Sequence, residues 1–389
     1  MYAVFWFGVC VIFACPIIAQ TVTKDDSNQT ITSQMQALIP HIGGRVQINR
    51  LSGDTPPGAV SYTHQWPGIY WETGFIGDTV VLKFNDPANE YRLLLDDKAP
   101  IAIAQPGRSE IAVTNFANGP HRLRLEKVTE SIWKLGTFEG FYINATEKGV
   151  TIPPKLRQIE FIGNSDMTGY GLRSDTRTCT QDEVRLRSDT QSAYPALVAK
   201  FFDADYQINA ISGRGIIRNY AGMVPDHTML VIYDNILPDE PGTFEPYADA
   251  TWTPQITFIG LGGNDFFSPL KPDEVWKTRD ALIDSYVDGM AKLLANVQQR
   301  HPKTTVMIYW PDAGILTPAE KARLDRDGQA RLVTTARLLG MKPLEFVVTG
   351  NLEPDAMACD YHGSASDHRK KARWLIDRIQ LQMTLWAAK

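Results

Sequence analysis

At 389 residues the chain exceeds one ordinary domain, and 43% hydrophobic with 21% charged residues describes a globular protein with ample core. A formal net charge of −5, a pI near 5.8 and no basic run argue against nucleic acid or an anionic membrane surface as partner. No internal repeat or low-complexity tract is present.

In chain order, Tyr2 to Ile18 form an apolar stretch that ends at Ala19-Gln20. Residues 1–19 read as a secretory signal peptide cleaved near Ala19, which predicts a secreted, periplasmic or cell-envelope protein. The run is shorter than the ~20 residues of a spanning helix, so a short membrane anchor is the competing reading. A lipoprotein at Cys15 is a further one, which Pro16 disfavours. Residues 20–40, rich in Thr, Asp, Ser and Gln, read as a polar linker. No membrane partner is expected beyond the leader. Two of the four cysteines, Cys10 and Cys15, fall in the leader, leaving Cys179 and Cys359. An even pair in an oxidising compartment predicts a disulfide, with two free thiols as the alternative. The seven histidines form no His-x-x-x-His pair, and neither metal nor cofactor is expected.

Residues 41–148 read as β-structure. Arg45–Ile48 and His121–Glu126 alternate, while Thr79–Phe84, Tyr91–Leu95 and Ser109–Val113 are short runs separated by Gly77-Asp78, Asn85-Asp86-Pro87 and Pro106-Gly107. Short strands at this spacing predict a sandwich. Trp66-Pro67-Gly68-Ile69-Tyr70-Trp71 offers aromatics for sugar stacking, but such residues more often fill a sandwich core.

After a breaker-rich link the rhythm changes over 157–389. Strands near Ile159, Tyr206–Ile211, Ile256–Leu261, Thr305–Trp310 and Leu344–Val348 alternate with helices over 273–300, 318–339 and 368–386. Such alternation predicts a parallel sheet with helices on both faces, whose ligands collect at the carboxyl ends of the strands. Ser165, Ser212-Gly213, Asn264 and Trp310 all fall at or just past predicted strand ends.

Three blocks carry chemistry. Ile162-Gly163-Asn164-Ser165-Asp166 runs a strand into a small-residue turn holding a serine. Gly262-Gly263-Asn264-Asp265 supplies an amide donor, and Cys359-Asp360-Tyr361-His362 an acid and an imidazole. Serine, base, carboxylate and amide donor are the parts of acyl transfer. With Ile211-Ser212-Gly213-Arg214-Gly215, these blocks resemble the SGNH (GDSL-type) hydrolases, and most closely the family-two carbohydrate esterases.

The resemblance implies an N-terminal jelly-roll sandwich followed by a flavodoxin-like α/β/α SGNH domain. It implies Ser165 as nucleophile and His362 as base, with His368 as rival. Asp360 would orient the base, although some family members use a backbone carbonyl. The oxyanion donors would be Ser165 N–H, Gly213 N–H and the Asn264 amide, with Gly215 competing for the second place. Tyr220, Trp310 and Tyr361 are candidate sugar contacts. Cys179 and Cys359 both fall near this site. Asn164 stands where the family usually has Asp. The implied function is metal-independent removal of O-acetyl groups from acetylated oligo- or polysaccharides. The alternatives are a carbohydrate-binding protein on a decayed scaffold, motivated by Asn164, and a secreted lipid or aryl esterase.

Overall fold

The computed structural model describes residues 20–386 apart from 27–30, 32–33, 53–54, 118, 132–133, 239–243, 312–313, 349–354 and 383–385. The leader reading over 1–19 lies outside the described residues. Two antiparallel sheets form the N-terminal sandwich. One runs Thr21–Asp25, Gly107–Thr114, Thr79–Asp86, Gly136–Asn144, Val60–His64, Gln47–Arg50, with Met35–Leu38 also on Gly136–Asn144. The other runs Lys148–Val150, Tyr70–Ile76, Pro120–Lys127, Glu90–Leu95, Ile101–Ala104, with His41–Gly43 on Tyr70–Ile76.

The segment 20–40 is therefore not simply a linker. Thr21–Asp25 is polar because four of its five side chains face solvent, but its backbone completes a sheet edge against Gly107–Thr114. Apolar alternation is missing there, since edge pairing rests on backbone bonds. Between the sheets the inward residues of alternating strands meet in an aromatic cluster. Trp71 lies 5.1 Å from Phe138, and Phe84 lies 5.1 Å from Tyr91 and 5.2 Å from Phe138, ring centre to ring centre. The Trp66–Trp71 run is thus core and interface: Trp66, Ile69, Tyr70 and Trp71 are all buried.

The C-terminal part holds five parallel strands: β1 (Arg157–Gly163), β2 (Ala204–Ala210), β3 (Ile256–Ile259), β4 (Thr305–Tyr309) and β5 (Glu345–Val347). Their order is β2-β1-β3-β4-β5, the flavodoxin-like arrangement. Alternation sets the two faces. Phe161, Phe258 and Met307 pack with helices Tyr194–Phe201 and Ala365–Gln380, while Ile162, Ile259 and Ile308 pack with helix Arg279–Arg300. That last helix starts at 279 rather than 273 because Thr278 caps it, its hydroxyl accepting from Ala281 N–H at 3.1 Å. Among the described residues no helix is long and apolar enough to cross a membrane.

The two parts share one interface. Arg45, fully buried, pairs with Glu160 on β1 at 3.1 Å, and its guanidinium also lies over the rings of Tyr233 and Tyr247. Tyr70 donates to Asp205 at 2.6 Å, and Arg124 donates to Tyr206 at 2.9 Å.

Candidate active site

β1 ends at Gly163, and a four-residue helix begins at Ser165. Asn164 is its N-cap, with Oδ1 accepting from Asp166 N–H at 3.2 Å. An amide oxygen serves this cap as a carboxylate would, so asparagine keeps the turn while removing a charge beside the serine.

Ser165 Oγ lies 2.8 Å from His362 Nε2, although 197 residues separate the two in sequence. His362 Nδ1 lies 3.0 Å from the Cys359 carbonyl oxygen. A carbonyl only accepts, so Nδ1 carries the proton and Nε2 presents its lone pair to the serine hydroxyl. Burial pushes the His362 pKa below its ordinary value, against an opposing pull from the Asp166 carboxylate, and so favours the neutral ring. This is the geometry that general-base activation of a hydroxyl requires.

Asp360 does not take the orienting place. Its backbone is left-handed at φ 51°, and its exposed carboxylate accepts from the Tyr170 hydroxyl at 2.8 Å. The Tyr170 ring in turn covers the imidazole, with centres 4.3 Å apart. With only Tyr361 between acid and base, the chain turns back through Cys359–Tyr361 and brings a carbonyl, not the carboxylate, to Nδ1. His368 is buried behind the site. It stacks on Tyr194, accepts that residue's N–H through Nδ1 at 3.2 Å, and burial pushes its pKa down to about 4. Its contacts are those of a packing residue.

Gly213 follows β2 with φ +78°, and a Cβ there would meet nothing within 4 Å. Gly215 N–H is already given to Asn219 Oδ1 at 3.1 Å, which removes the competitor. Asn264 Nδ2 donates to the Arg214 carbonyl at 2.9 Å, tying the amide to the Gly213 loop and leaving its second hydrogen. Beneath them sits Asp265, a residue sequence reasoning passed over. Fully buried, its carboxylate accepts from the N–H groups of Ile216 and Ile217 at 3.0 Å and Arg218 at 3.1 Å. Burial pushes its pKa up to about 6, with the three donors working against this. Its position directly after Asn264 was the available signal.

The candidate sugar contacts separate. Trp310 is buried, its ring 5.0 Å from Phe346 and its Nε1 donating to Asp325 at 2.8 Å, so it is core rather than platform. Tyr361 is 70% exposed beside His362, with the Arg177 guanidinium over its ring. Tyr220 is 41% exposed; its N–H bonds the Gly213 carbonyl at 2.8 Å, and its ring lies 6.0 Å from that of Phe267, itself 65% exposed. The sequence did not single out Phe267, an aromatic three residues past Asn264. Cys179 and Cys359 form a disulfide. A Cβ on Gly171, at φ +56°, would lie 2.7 Å from Cys359 Sγ, so glycine lets the serine loop approach the bridge.

Fold and site together define an SGNH-type hydrolase behind a jelly-roll domain. Residues 54–153 match the carbohydrate esterase 2 N-terminal family. An acetylxylan esterase / glucomannan deacetylase of Cellvibrio japonicus is 39% identical over 348 residues, covering 89% of this chain and 92% of that protein. A solved carbohydrate esterase, described as having an active site with divergent catalytic and non-catalytic binding functions, is 37% identical. It matches with TM-score 0.79 over 90% of this chain and all of that one. A family two carbohydrate esterase of Clostridium thermocellum, solved with cellohexaose, shares the fold at 22% identity and TM-score 0.69, over 89% of this chain and 99% of that one. The chain belongs to the family-two carbohydrate esterases, and it is an esterase.

Proposed function

We propose that this esterase removes O-acetyl groups from acetylated plant-wall polysaccharides or their fragments, by acyl transfer through Ser165. The observation that carries the reading is the Ser165 Oγ to His362 Nε2 contact of 2.8 Å with the other ring nitrogen on a carbonyl. His362 takes the hydroxyl proton as Ser165 attacks the acetyl carbonyl. The N–H groups of Ser165 and Gly213 and the Asn264 amide receive the oxyanion. Collapse expels the sugar oxygen, which takes that proton from His362 and leaves as a hydroxyl. Water, deprotonated by the same imidazole, then releases acetate. Tyr220, bonded to the Gly213 carbonyl, and Tyr361, next to His362, are exposed and would bear on the sugar ring. The name of the Cellvibrio japonicus relative supports acetylated xylan or glucomannan as the substrate class.

The test is a deacetylation screen with product identification on acetylated xylan, glucomannan and chitooligosaccharides. Release of acetate from a plant-wall polymer is expected; preference for long-chain acyl esters would favour a lipid esterase instead. Export is part of the same proposal, supported by the Cys179–Cys359 disulfide, a bond that persists in oxidising compartments. The N-terminus of the exported protein should then read from about Gln20.

A further inference from the structure

The loop that carries Gly213 is held from outside its own domain. Glu130 lies three residues past the sandwich strand Pro120–Lys127 and is buried. Its side chain crosses to the α/β domain and takes two hydrogen bonds from one residue. Ser212 N–H reaches Oε1 at 2.6 Å, and the Ser212 hydroxyl reaches Oε2 at 2.5 Å. Both carboxylate oxygens accept, so the Ser212 hydroxyl proton points at Glu130, and its oxygen lies 3.1 Å from the Thr168 hydroxyl. Thr168 Oγ1 also stands 3.2 Å from the carbonyl of Ser165. The chain of contacts therefore runs from the sandwich, through the residue before Gly213, to the short helix that carries Ser165.

The corner at Gly213 has few walls of its own, since a Cβ there would touch nothing. Hydrogen bonds fix its peptide from both flanks: the Ser212 N–H and hydroxyl on Glu130 ahead of it, and Tyr220 N–H on the Gly213 carbonyl behind it at 2.8 Å. We propose that Glu130 is a positioning residue for acyl transfer, fixing the Ser212-Gly213 peptide so that Gly213 N–H faces the oxyanion that develops beside Ser165. This rests on Gly213 as an oxyanion donor. An N–H aimed at a developing charge acts in the transition state more than in substrate binding, so loss of the clamp appears in kcat and not in KM.

The experiment uses the whole protein, an aryl acetate, active sites counted with a fluorophosphonate, and an alkylboronic acid as tetrahedral analogue. Glu130→Ala should lower kcat per active site by about 10- to 100-fold, with KM within about threefold and boronate affinity falling in parallel. Glu130→Gln should retain most of both, because its carbonyl oxygen accepts from Ser212 N–H and its amide donates to Ser212 Oγ. Ser212→Ala keeps the N–H half of the clamp and should lose about three- to tenfold. Glu90→Ala breaks a different cross-domain pair, Glu90 with Arg173 at 2.8 Å, and should leave kcat and boronate affinity unchanged. Wild-type kcat and boronate affinity per active site in Glu130→Ala overturns the proposal. An equal loss in Glu90→Ala does so too, because Glu130 would then act only as domain glue. If Glu130→Ala does not fold, Ser212→Ala decides by the same two readouts. Failure of the polysaccharide reading is separate: it would leave aryl acetate turnover and these ratios intact.

Discussion

A carbonyl and a carboxylate both hold an imidazole in one tautomer, but only the carboxylate adds charge to stabilise the imidazolium. With the Cys359 carbonyl on Nδ1, the proposed acyl transfer needs only the side chains of Ser165 and His362, and Asp360 acts on Tyr170. Ser165→Ala and His362→Ala should each lower kcat by at least about 10³-fold in aryl acetate turnover. Asp360→Asn should stay within about threefold and His368→Ala within about tenfold, the latter through packing. A loss in Asp360→Asn equal to that of His362→Ala would refute orientation by the carbonyl. The carboxylate with the largest pull on the ring's charge is then Asp166, ahead of Asp360. Burial alone would raise the Asp166 pKa, but the Lys371 ammonium holds it below its ordinary value. Asp166 raises the His362 pKa while burial lowers it. The base works when neutral, so activity falls as pH drops through that pKa. Asp166→Asn should therefore move the acid limb of kcat/KM to lower pH, and the Lys371 charge left behind acts in the same direction. A shift to higher pH would contradict this assignment. At this scale the serine was legible because a strand runs into its small-residue turn, and the histidine because it stands in a block shared with the family just before the last helix. The orienting carbonyl was not, because every residue has one and only the left-handed turn at Asp360 and Tyr361 selects which one arrives.

Among elements, the carboxyl edge of the parallel sheet does the assembling. β1 delivers Ser165, β2 delivers Gly213 and β3 delivers Asn264, an outcome readable from strands that run into turns rich in small residues. The same rule misassigned Trp310, because the end of β4 turns its indole inward against Phe346 and Asp325. A strand end places a residue on the rim without fixing which way its side chain points. Also hidden was the device that shapes the β2 loop. Asp265 gathers three consecutive N–H groups from 216–218, bonds formed across about fifty residues of sequence. Asp265→Asn leaves the size unchanged but turns an amide donor toward those N–H groups. It should cost about 2–3 kcal/mol in chemical denaturation and lower kcat by moving the loop that carries Gly213. Unchanged stability with unchanged kcat would mean that the loop holds its shape without the carboxylate.

At the scale of the whole molecule, one apolar cluster runs from Trp71 and Phe138 in the sandwich to Ile211 and Met290 in the α/β part, so the two share a core. The buried Arg45–Glu160 pair at their junction spans 115 residues, and nothing local in the sequence announces it. Sandwich extent was under-read for a related reason: Thr21–Asp25 is recognisable only through the strand it pairs with. The disulfide, by contrast, was legible by counting cysteines, and the structure gives it a sharper consequence than stability. Cys359 is tied to Cys179 through its side chain and holds His362 through its carbonyl, which accepts both the backbone N–H at 3.1 Å and Nδ1 at 3.0 Å. The bridge thus anchors the residue that orients the base. Closing a loop across a sequence separation of 180 gives an entropic ceiling of roughly 5 kcal/mol, with less expected in practice. The double variant Cys179→Ser with Cys359→Ser should lower Tm. At temperatures where it stays folded, it should also lower kcat for an aryl acetate with KM little changed, since the imidazole loses its fixed tautomer while a substrate without a sugar makes no use of Tyr361. Reductant should reproduce both effects in the native protein and add nothing to the variant. A variant with lowered Tm but native kcat would mean that the Cys359–His362 turn keeps its geometry unaided, and that the bridge serves stability alone.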